Sequence, residues 1–270
     1  MLDVILMVLS GLLAGLLVGS FLNVCIYRWP NDLSIVRPSR SYCPGCEATI
    51  AWYDNVPLLS FALLGGKCRA CKARIPWRYP LVELLTGLTF ALCVWKLGLT
   101  LLALKYCVFS AILIALMATD VETRILPDEF TKGGIWVGLA FAVVAPLDPI
   151  LAPLFLPYGT DPRWLSLFEA AFGAAFSSGS IWFVGWMYEK IRHREGLGFG
   201  DVKMIAMAGA FLGLQGAIMT LLLGSLAGSI LGLAYIKLTR QDPNTYELPF
   251  GTFLGAAALV LALYAQVWKH

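Results

Sequence analysis

Long runs of uncharged, apolar residues constrain the fold of this chain more than any other feature. Residues 4–27, 170–188 and 248–268 contain no charged side chain, and about 20 apolar residues suffice for a helix to cross a bilayer. Hydrophobic residues make up 59% of the 270 positions and charged residues only 14%, which excludes an ordinary soluble domain. The sequence therefore predicts an all-α integral membrane protein.

The remaining apolar segments raise the predicted number of transmembrane helices to about eight. Residues 204–236 carry no charge but are too long for one ordinary span. Gly213 and Gly216 near their middle predict a turn, and hence a helical hairpin. Shorter helices are predicted at residues 81–95, about 99–119 and about 132–147.

Basic residues predict the orientation of these helices. Most of the chain's 20 lysines and arginines fall in the long loop at residues 28–78 and in the turns near residues 120, 189–201 and 237–247. Cytoplasmic loops carry such an excess, so we expect this side to face the cytoplasm. The net charge of +3 is too small to indicate a nucleic-acid partner.

The first apolar run lacks a basic segment before it and a cleavage-site pattern after it. We therefore expect a retained first span rather than a cleaved signal. The predicted organisation is a first span (1–27), a cytoplasmic loop (28–79) and a seven-span membrane domain (80–270).

Two aspartates, Asp120 and Asp201, lie at the predicted cytoplasmic ends of apolar spans. A carboxylate beside hydrocarbon is costly, so such a residue is a functional-site candidate. A single aspartate there more often caps a helix or lies among lipid headgroups, but two on one membrane face favour a shared function. If they converge, they share one proton and catalyse hydrolysis by acid–base chemistry. Gly198 and Gly200 would let an extended substrate approach the backbone beside Asp201.

Four cysteines of the long loop form two C-x2-C pairs with the spacing of a zinc site. Cys43 and Cys46 precede residues 47–67, and Cys68 and Cys71 follow them. Each pair aims two thiolates at one point, and an intervening loop of about 20 residues closes the tetrahedron. Two disulfides, or thiols without a role, are the alternatives, but a reducing cytoplasm disfavours disulfides. A single tetrahedral thiolate set indicates zinc rather than iron.

Five short motifs occur in order between residue 19 and about residue 213. They are GSFLNVCIYR at residues 19–28, the loop with the two cysteine pairs, RYPLVELLTG at residues 78–87, Asp120-x5-Leu126-Pro127-Asp128, and GFGDVK at residues 198–203. In this order, and within a multi-span background, these motifs resemble those of the type 4 prepilin peptidases.

That resemblance implies an integral inner-membrane aspartic protease of the GxGD type. Such enzymes cut the basic leader from type IV prepilins, or from the pseudopilins of type II secretion, on the cytoplasmic side. Many then methylate the new N-terminal residue with S-adenosylmethionine, and the cysteine loop marks this bifunctional branch. By the resemblance, Asp120 and Asp201 are the catalytic pair and Asp128 is not catalytic. The chain offers no glycine-rich nucleotide loop, so the residues that bind the methyl donor are not predicted.

The resemblance also implies the partners, which are prepilin or pseudopilin substrates and the lipid bilayer. A prepilin presents a basic leader followed by an apolar helix of membrane-spanning length. We expect that helix to lie against the enzyme in the bilayer, where Gly224 and Gly228 provide a small-residue face for close packing.

Two other classes of protein share parts of this pattern. A transporter or membrane scaffold with a cytoplasmic zinc knuckle would also place carboxylates in its spans. Transporter carboxylates tend toward the midplane, however, and the sequence shows no inverted repeat. A monofunctional GxGD protease would carry the aspartates without the cysteine loop.

Overall fold

The computed structural model describes residues 2–38, 40–193, 198–239 and 248–267. These residues form helices and loops, with only isolated β-bridges outside the helices. The predicted all-α class is therefore confirmed. The helices are α1 (Leu2–Arg28), α2 (Leu59–Leu63), α3 (Arg78–Leu97), α4 (Leu101–Thr123), α5 (Asp128–Val144), α6 (Ala152–Phe155), α7 (Pro162–Arg192), α8 (Phe199–Thr239) and α9 (Phe250–Val267), with short 3₁₀ turns at Trp29–Asn31 and Trp52–Asn55.

Within the described part of the chain, five helices have the length and composition of membrane spans, namely α1, α3, α4, α7 and α8. A shorter apolar helix covers Phe250–Tyr264 in α9, and α5 has 17 residues. The protein is thus a helical membrane protein. Its number of membrane crossings stays a prediction.

The start of α7 differs from the prediction, because the helix begins at Pro162 rather than near residue 170. The Asp161 carboxylate accepts the backbone N–H of Arg163 at 2.8 Å, which caps the helix, and proline suits its first turn. The hydropathy pattern concealed this start because Arg163 and Glu169 interrupt the apolar run.

Glu169 is only 3% exposed in the structure. Its Oε2 accepts three backbone N–H groups from the segment before α7, those of Ile150, Leu151 and Ala152 at 3.2, 2.9 and 3.1 Å. A buried carboxylate is tolerated when donors satisfy it in this way. Glu169 therefore fixes this segment against α7.

The chain divides into two compact units, Met1–Thr119 and Asp120–His270. In the first unit, α1 and α3 pack through small residues. A Cβ atom at Gly15 would lie 2.5 Å from the carbonyl oxygen of Thr86, and one at Gly19 would lie 2.7 Å from Cα of Glu83. The two backbones touch at these points, as is typical of helices that pack within a membrane.

In the second unit, α8 is interrupted at Gly213, which has φ 72° and ψ −177°. Both ends of α8 lie close to one region, since a Cβ atom at Gly200 would lie 3.1 Å from Leu126 and one at Gly232 would lie 2.7 Å from Leu248. Leu126 also lies 3.1 Å from a Cβ atom built at Gly251, near Leu248 in the chain. A straight helix of 41 residues would be about 60 Å long, so the chain reverses at Gly213. This reversal agrees with the predicted hairpin.

The small-residue face in the second half of α8 packs against α9. A Cβ atom at Gly224 would lie 2.8 Å from Cδ2 of Leu254, and one at Gly228 would lie 3.3 Å from Cδ2 of Phe253. The expectation that this face receives a substrate helix is therefore wrong. Small residues indicate a close neighbouring helix, but they do not indicate whether that helix belongs to the same chain.

Candidate carboxylate and metal sites

Asp120 lies in the last turn of α4 and is only 5% exposed. Its Oδ2 accepts two hydrogen bonds from Thr252, one from the backbone N–H at 2.6 Å and one from Oγ1 at 2.7 Å. A Cβ atom at Gly251 would lie 3.2 Å from Cγ of Asp120, so the first turn of α9 lies directly against the carboxylate. These two donors hold the Asp120 side chain in one orientation.

Arg124 caps the C-terminal end of α4. Its backbone N–H donates to the Asp120 carbonyl at 3.1 Å, and its Nη1 donates to the Asp120 and Val121 carbonyls at 2.9 and 3.1 Å. A basic side chain satisfies the unpaired carbonyls of a last helical turn in this way. The turn that carries Asp120 is therefore held at both its side chain and its backbone.

Asp201 lies in the first turn of α8, where its backbone N–H donates to the carbonyl of Gly198 at 3.1 Å. The start of a helix favours a negative charge. A Cβ atom at Gly198 would lie 3.2 Å from Oδ2 of Asp201, so glycine leaves space beside this carboxylate. Leu126 lies 3.1 Å from Cβ atoms built at Gly200, beside Asp201, and at Gly251, against Asp120. The structure therefore places the two aspartates that the sequence singled out near enough for their charges to influence one another.

Leu126 lies between the start of α8, which carries Gly200, and the start of α9, which carries Gly251. It is buried, and Cβ atoms built at Gly200 and at Gly251 would each lie 3.1 Å from its side chain. The expectation that Gly200 opens the backbone to substrate is therefore wrong, because Leu126 already occupies that position. Glycine is needed there for packing of the chain against itself.

Asp128 follows Leu126 and forms two ion pairs that the sequence did not predict. Lys132 Nζ lies 2.6 Å from its Oδ2, and Lys203 Nζ donates to its Oδ1. The first pair lies within one helix turn of α5, whereas the second joins the starts of α5 and α8. The only sequence signal was the presence of opposite charges next to the two aspartate motifs.

The four cysteines of the long loop form one cluster. The Sγ atoms of Cys43, Cys46, Cys68 and Cys71 all lie within 4.8 Å of one another, and those of Cys43 and Cys71 are 3.8 Å apart. Four thiolates at about 2.3 Å from a tetrahedral zinc ion would be about 3.8 Å apart. The donor set therefore fits a tetrahedral metal ion. All seven cysteines are free thiols, so the alternative of two disulfides is not supported.

The two C-x2-C pairs have the same local geometry. The Cys43 N–H donates to the Ala48 carbonyl at 3.0 Å, and the Cys68 N–H donates to the Ala73 carbonyl at 2.8 Å. The backbone N–H groups of Cys71 and Ala70 stabilise the Cys68 thiolate and lower the pKa of that thiol to about 7. Metal ligation requires the thiolate form, so the backbone favours the form of Cys68 that could bind a metal ion.

Further contacts brace the cysteine loop within the first unit. Arg69 binds the Asp54 carboxylate through two hydrogen bonds of 2.7 and 2.6 Å, which lower the pKa of Asp54. Glu83 of α3 accepts the Leu58 N–H at 2.8 Å. Buried Arg28 donates to backbone carbonyls of the loop, those of Ser34, Ile35 and Pro38, each at 3.0 Å. In the sequence, Arg28 counted only as one of the basic residues that predict which side of the membrane faces the cytoplasm.

The fold and these sites define a class of protein, a helical membrane protein with two interacting carboxylates at helix ends and a four-thiol cluster in a loop. Residues 13–97 match the bacterial peptidase A24 N-terminal domain, and residues 107–233 match the type IV leader peptidase family. The cysteine cluster lies in the first match and both aspartates lie in the second.

Similar proteins cover most of the chain. A prepilin leader peptidase/N-methyltransferase of Pseudomonas aeruginosa is 35% identical, with 96% of this chain and 91% of that protein aligned. Proteins of the same name from Myxococcus xanthus and Dickeya chrysanthemi are 41% and 36% identical, covering 88% and 97% of this chain and 67% and 95% of their own lengths. No solved structure matches the chain. The chain belongs to the type IV leader peptidase family, which confirms the resemblance that the five motifs indicate.

Proposed function

We propose that this protein removes the leader peptide of type IV prepilins or pseudopilins and then methylates the new N-terminal residue. The observation that carries the proposal is the interaction of Asp120 and Asp201, from two different helices, within the segment that matches the leader peptidase family. Both activities appear in the name of the relatives. A transporter or scaffold function has no comparable support.

The carboxylate pair supplies acid–base chemistry for peptide hydrolysis. Two like charges near one another disfavour double ionisation, so the pair holds a single proton over a useful pH range. The ionised carboxylate takes a proton from water as it attacks the scissile carbonyl, and the protonated carboxyl polarises that carbonyl. The proton taken from water then passes to the leaving amine. Thr252 keeps Asp120 oriented during these steps through its two hydrogen bonds.

The membrane explains how the substrate reaches this pair. A basic leader followed by an apolar helix would place the helix in the bilayer and the cleavage junction at the membrane surface. Both aspartates lie at ends of apolar helices, which is the depth that such a junction would reach. The excess of basic residues in the loops on this side supports a cytoplasmic active site in the bacterial inner membrane.

We propose zinc as the metal of the cysteine cluster, with Cys43, Cys46, Cys68 and Cys71 as its four ligands. A closed set of four thiolates is typical of a structural zinc site, whose role is to hold a loop in one conformation. The loop is joined to α1 through Arg28 and to α3 through Glu83. Metal binding therefore stabilises the first unit rather than the chemistry of the aspartates.

The methyl-transfer activity needs a donor, for which we propose S-adenosylmethionine. The donor supplies an activated methyl group to the free amine of the cleaved substrate. Methylation belongs, in this proposal, to the unit that contains the cysteine loop, since the leader peptidase match already accounts for the other unit. No residue of the chain is assigned to donor binding.

A mass assay of a prepilin peptide tests both activities. Purified protein in detergent, incubated with the peptide and S-adenosylmethionine, should release the leader and add one methyl group to the mature fragment. Asp120→Asn and Asp201→Asn should each abolish leader release. Asp32→Asn is a matched control, since Asp32 is an exposed loop residue with φ 55°, a conformation that asparagine also tolerates. An intact peptide after incubation with folded, unmodified protein would reject the proposal.

A further inference from the structure

Asp128 and Lys203 connect the starts of two helices next to the carboxylate pair. Asp128 lies in the first turn of α5 and Lys203 in the first turns of α8. The Lys203 ammonium donates to Oδ1 of Asp128 and lies 5.3 Å from the centroid of the Phe199 ring. The side chain of Lys203 is only 17% exposed, whereas that of Asp128 is 45% exposed, so the pair is buried on the lysine side. Partial burial makes such a pair more effective than an exposed ion pair, which water and salt screen.

The helix geometry separates the roles of Lys203 and Asp201. Two residues along an α-helix are about 200° apart around its axis, so these two side chains project from nearly opposite faces of α8. Lys203 therefore holds one side of the helical turn whose other side presents Asp201. Its charge is paired with Asp128 rather than with the catalytic carboxylate.

The Leu126-Pro127-Asp128 segment contacts the same turn of α8 twice. Leu126 packs 3.1 Å from the position that a Cβ atom of Gly200 would occupy, and Asp128 binds Lys203. The two contacts lie on either side of Asp201 in sequence. Together they determine where the first turn of α8 lies relative to the residues that follow Asp120.

We infer that the Asp128–Lys203 ion pair is a positioning element that keeps Asp201 next to Asp120, and that Asp128 contributes to cleavage only in this way. The inference rests on the proposed function of the two aspartates. Catalysis by two carboxylates requires both to reach one water molecule and one carbonyl, and a displacement of about 1 Å can reduce a rate by about 100-fold. Loss of the pair should therefore reduce turnover without removing either reacting group.

Four variants test this inference in the peptide cleavage assay. Lys203→Met and Asp128→Ala should each reduce kcat by about tenfold, the size expected for losing one charge-assisted hydrogen bond, and leave KM within about twofold of the unmodified enzyme. Exchanging the charges, with Asp128→Lys and Lys203→Asp together, should recover most of the activity lost in Asp128→Lys alone. Glu129→Ala is the matched control, since Glu129 is the exposed neighbour of Asp128 in the same helical turn and should keep full activity.

The pH–rate profile provides a readout that a purely structural role would not change. Interaction between two carboxylates separates their two apparent ionisation steps, so a larger distance between Asp120 and Asp201 should narrow the bell-shaped profile. The charged groups near the pair are Glu122 at the end of α4, Arg124 just after it, Asp128, Glu129 and Lys132 on α5, and Lys203 on α8; the described part of α9 carries none. A narrower profile in Lys203→Met, with an unchanged profile in Glu129→Ala, would support the inference.

Three results would overturn the inference while leaving the proposed function intact. The first is a folded Lys203→Met enzyme with unmodified kcat and pH profile. The second is a raised KM with unchanged kcat, which would show that Lys203 binds the substrate. The third is a folded charge-exchanged enzyme that recovers nothing over Asp128→Lys. Thermal unfolding and size-exclusion chromatography establish that each variant is folded. Cleavage by Asp120→Asn or Asp201→Asn would instead reject the proposed function itself.

Discussion

Replacing Gly251 with alanine tests how closely the second unit packs around Asp120. The new Cβ atom would lie 3.1 Å from both Cδ atoms of Leu126 and 3.2 Å from Cγ of Asp120. Ordinary contacts between carbon atoms are about 3.5–4.0 Å, so these groups must separate by about half an ångström. If a 1 Å displacement of a reacting group reduces a rate by about 100-fold, half of it should reduce kcat by about tenfold.

The assay is leader cleavage at saturating peptide, with thermal unfolding measured on the same preparations. Gly133→Ala is the matched control, because no atom lies within 4 Å of the added Cβ and alanine favours a helix. It should keep full activity. In Gly251→Ala we expect the unfolding temperature to fall only slightly, because the strain is local.

A double variant identifies the neighbour that transmits the strain. Leu126→Ala removes both Cδ atoms and gives the alanine at position 251 room to move away from Asp120. The loss of kcat in Gly251→Ala with Leu126→Ala should therefore be smaller than the product of the two single losses. Full activity in Gly251→Ala would refute the reasoning, as would single losses that multiply in the double variant.

Three further substitutions test other parts of the structure. Cys43→Ser should lose most of the bound zinc, measured by elemental analysis of the purified protein, whereas Cys25→Ala should retain it; equal metal contents would show that the thiol cluster is not the site. Glu169→Ala leaves three backbone N–H groups without an acceptor, so the free energy of unfolding should fall by about 2–4 kcal/mol. The control Glu189→Ala, at an exposed residue, should leave the free energy of unfolding unchanged. A Glu169→Ala protein as stable as the unmodified one would contradict the assigned role. Gly224→Leu should lower the unfolding temperature because its Cβ atom would lie 2.8 Å from Leu254. The control Gly179→Leu should leave the unfolding temperature unchanged, because its Cβ atom would have no neighbour within 4 Å. Equal unfolding temperatures for the two variants would argue against the packing of α8 on α9.

Local patterns in the sequence predicted the features that depend on neighbouring residues. Uncharged length predicted the helices, Gly213 predicted the reversal within α8, and the C-x2-C spacing predicted the thiol cluster. Each of these depends on the properties of a short segment, so its physical cause is visible in the sequence. The sequence did not predict that Asp120 and Asp201 lie near one another. It showed only that a shared catalytic role would require them to do so.

The contacts that hold the carboxylate site were not predictable in the same way. Thr252 binds Asp120 across 132 positions of the chain, and Lys203 binds Asp128 across 75 positions. Nothing in the residues around Thr252 distinguishes it from a threonine that faces lipid. The burial of Glu169 was not predicted for a related reason. Hydropathy treats any charged residue as an interruption of an apolar run, whether the residue is exposed or is buried with hydrogen-bond donors that satisfy it.

Single-turnover cleavage by Asp120→Asn, Asp201→Asn and the double variant tests the central claim most directly. If the two carboxylates act as one unit, each single substitution should reduce the rate about as much as both together. All three proteins should remain folded and keep the metal content of the unmodified protein, since the four-cysteine cluster lies in the other unit. A single variant that cleaves at the unmodified rate, or single losses that multiply in the double variant, would contradict a shared carboxylate pair.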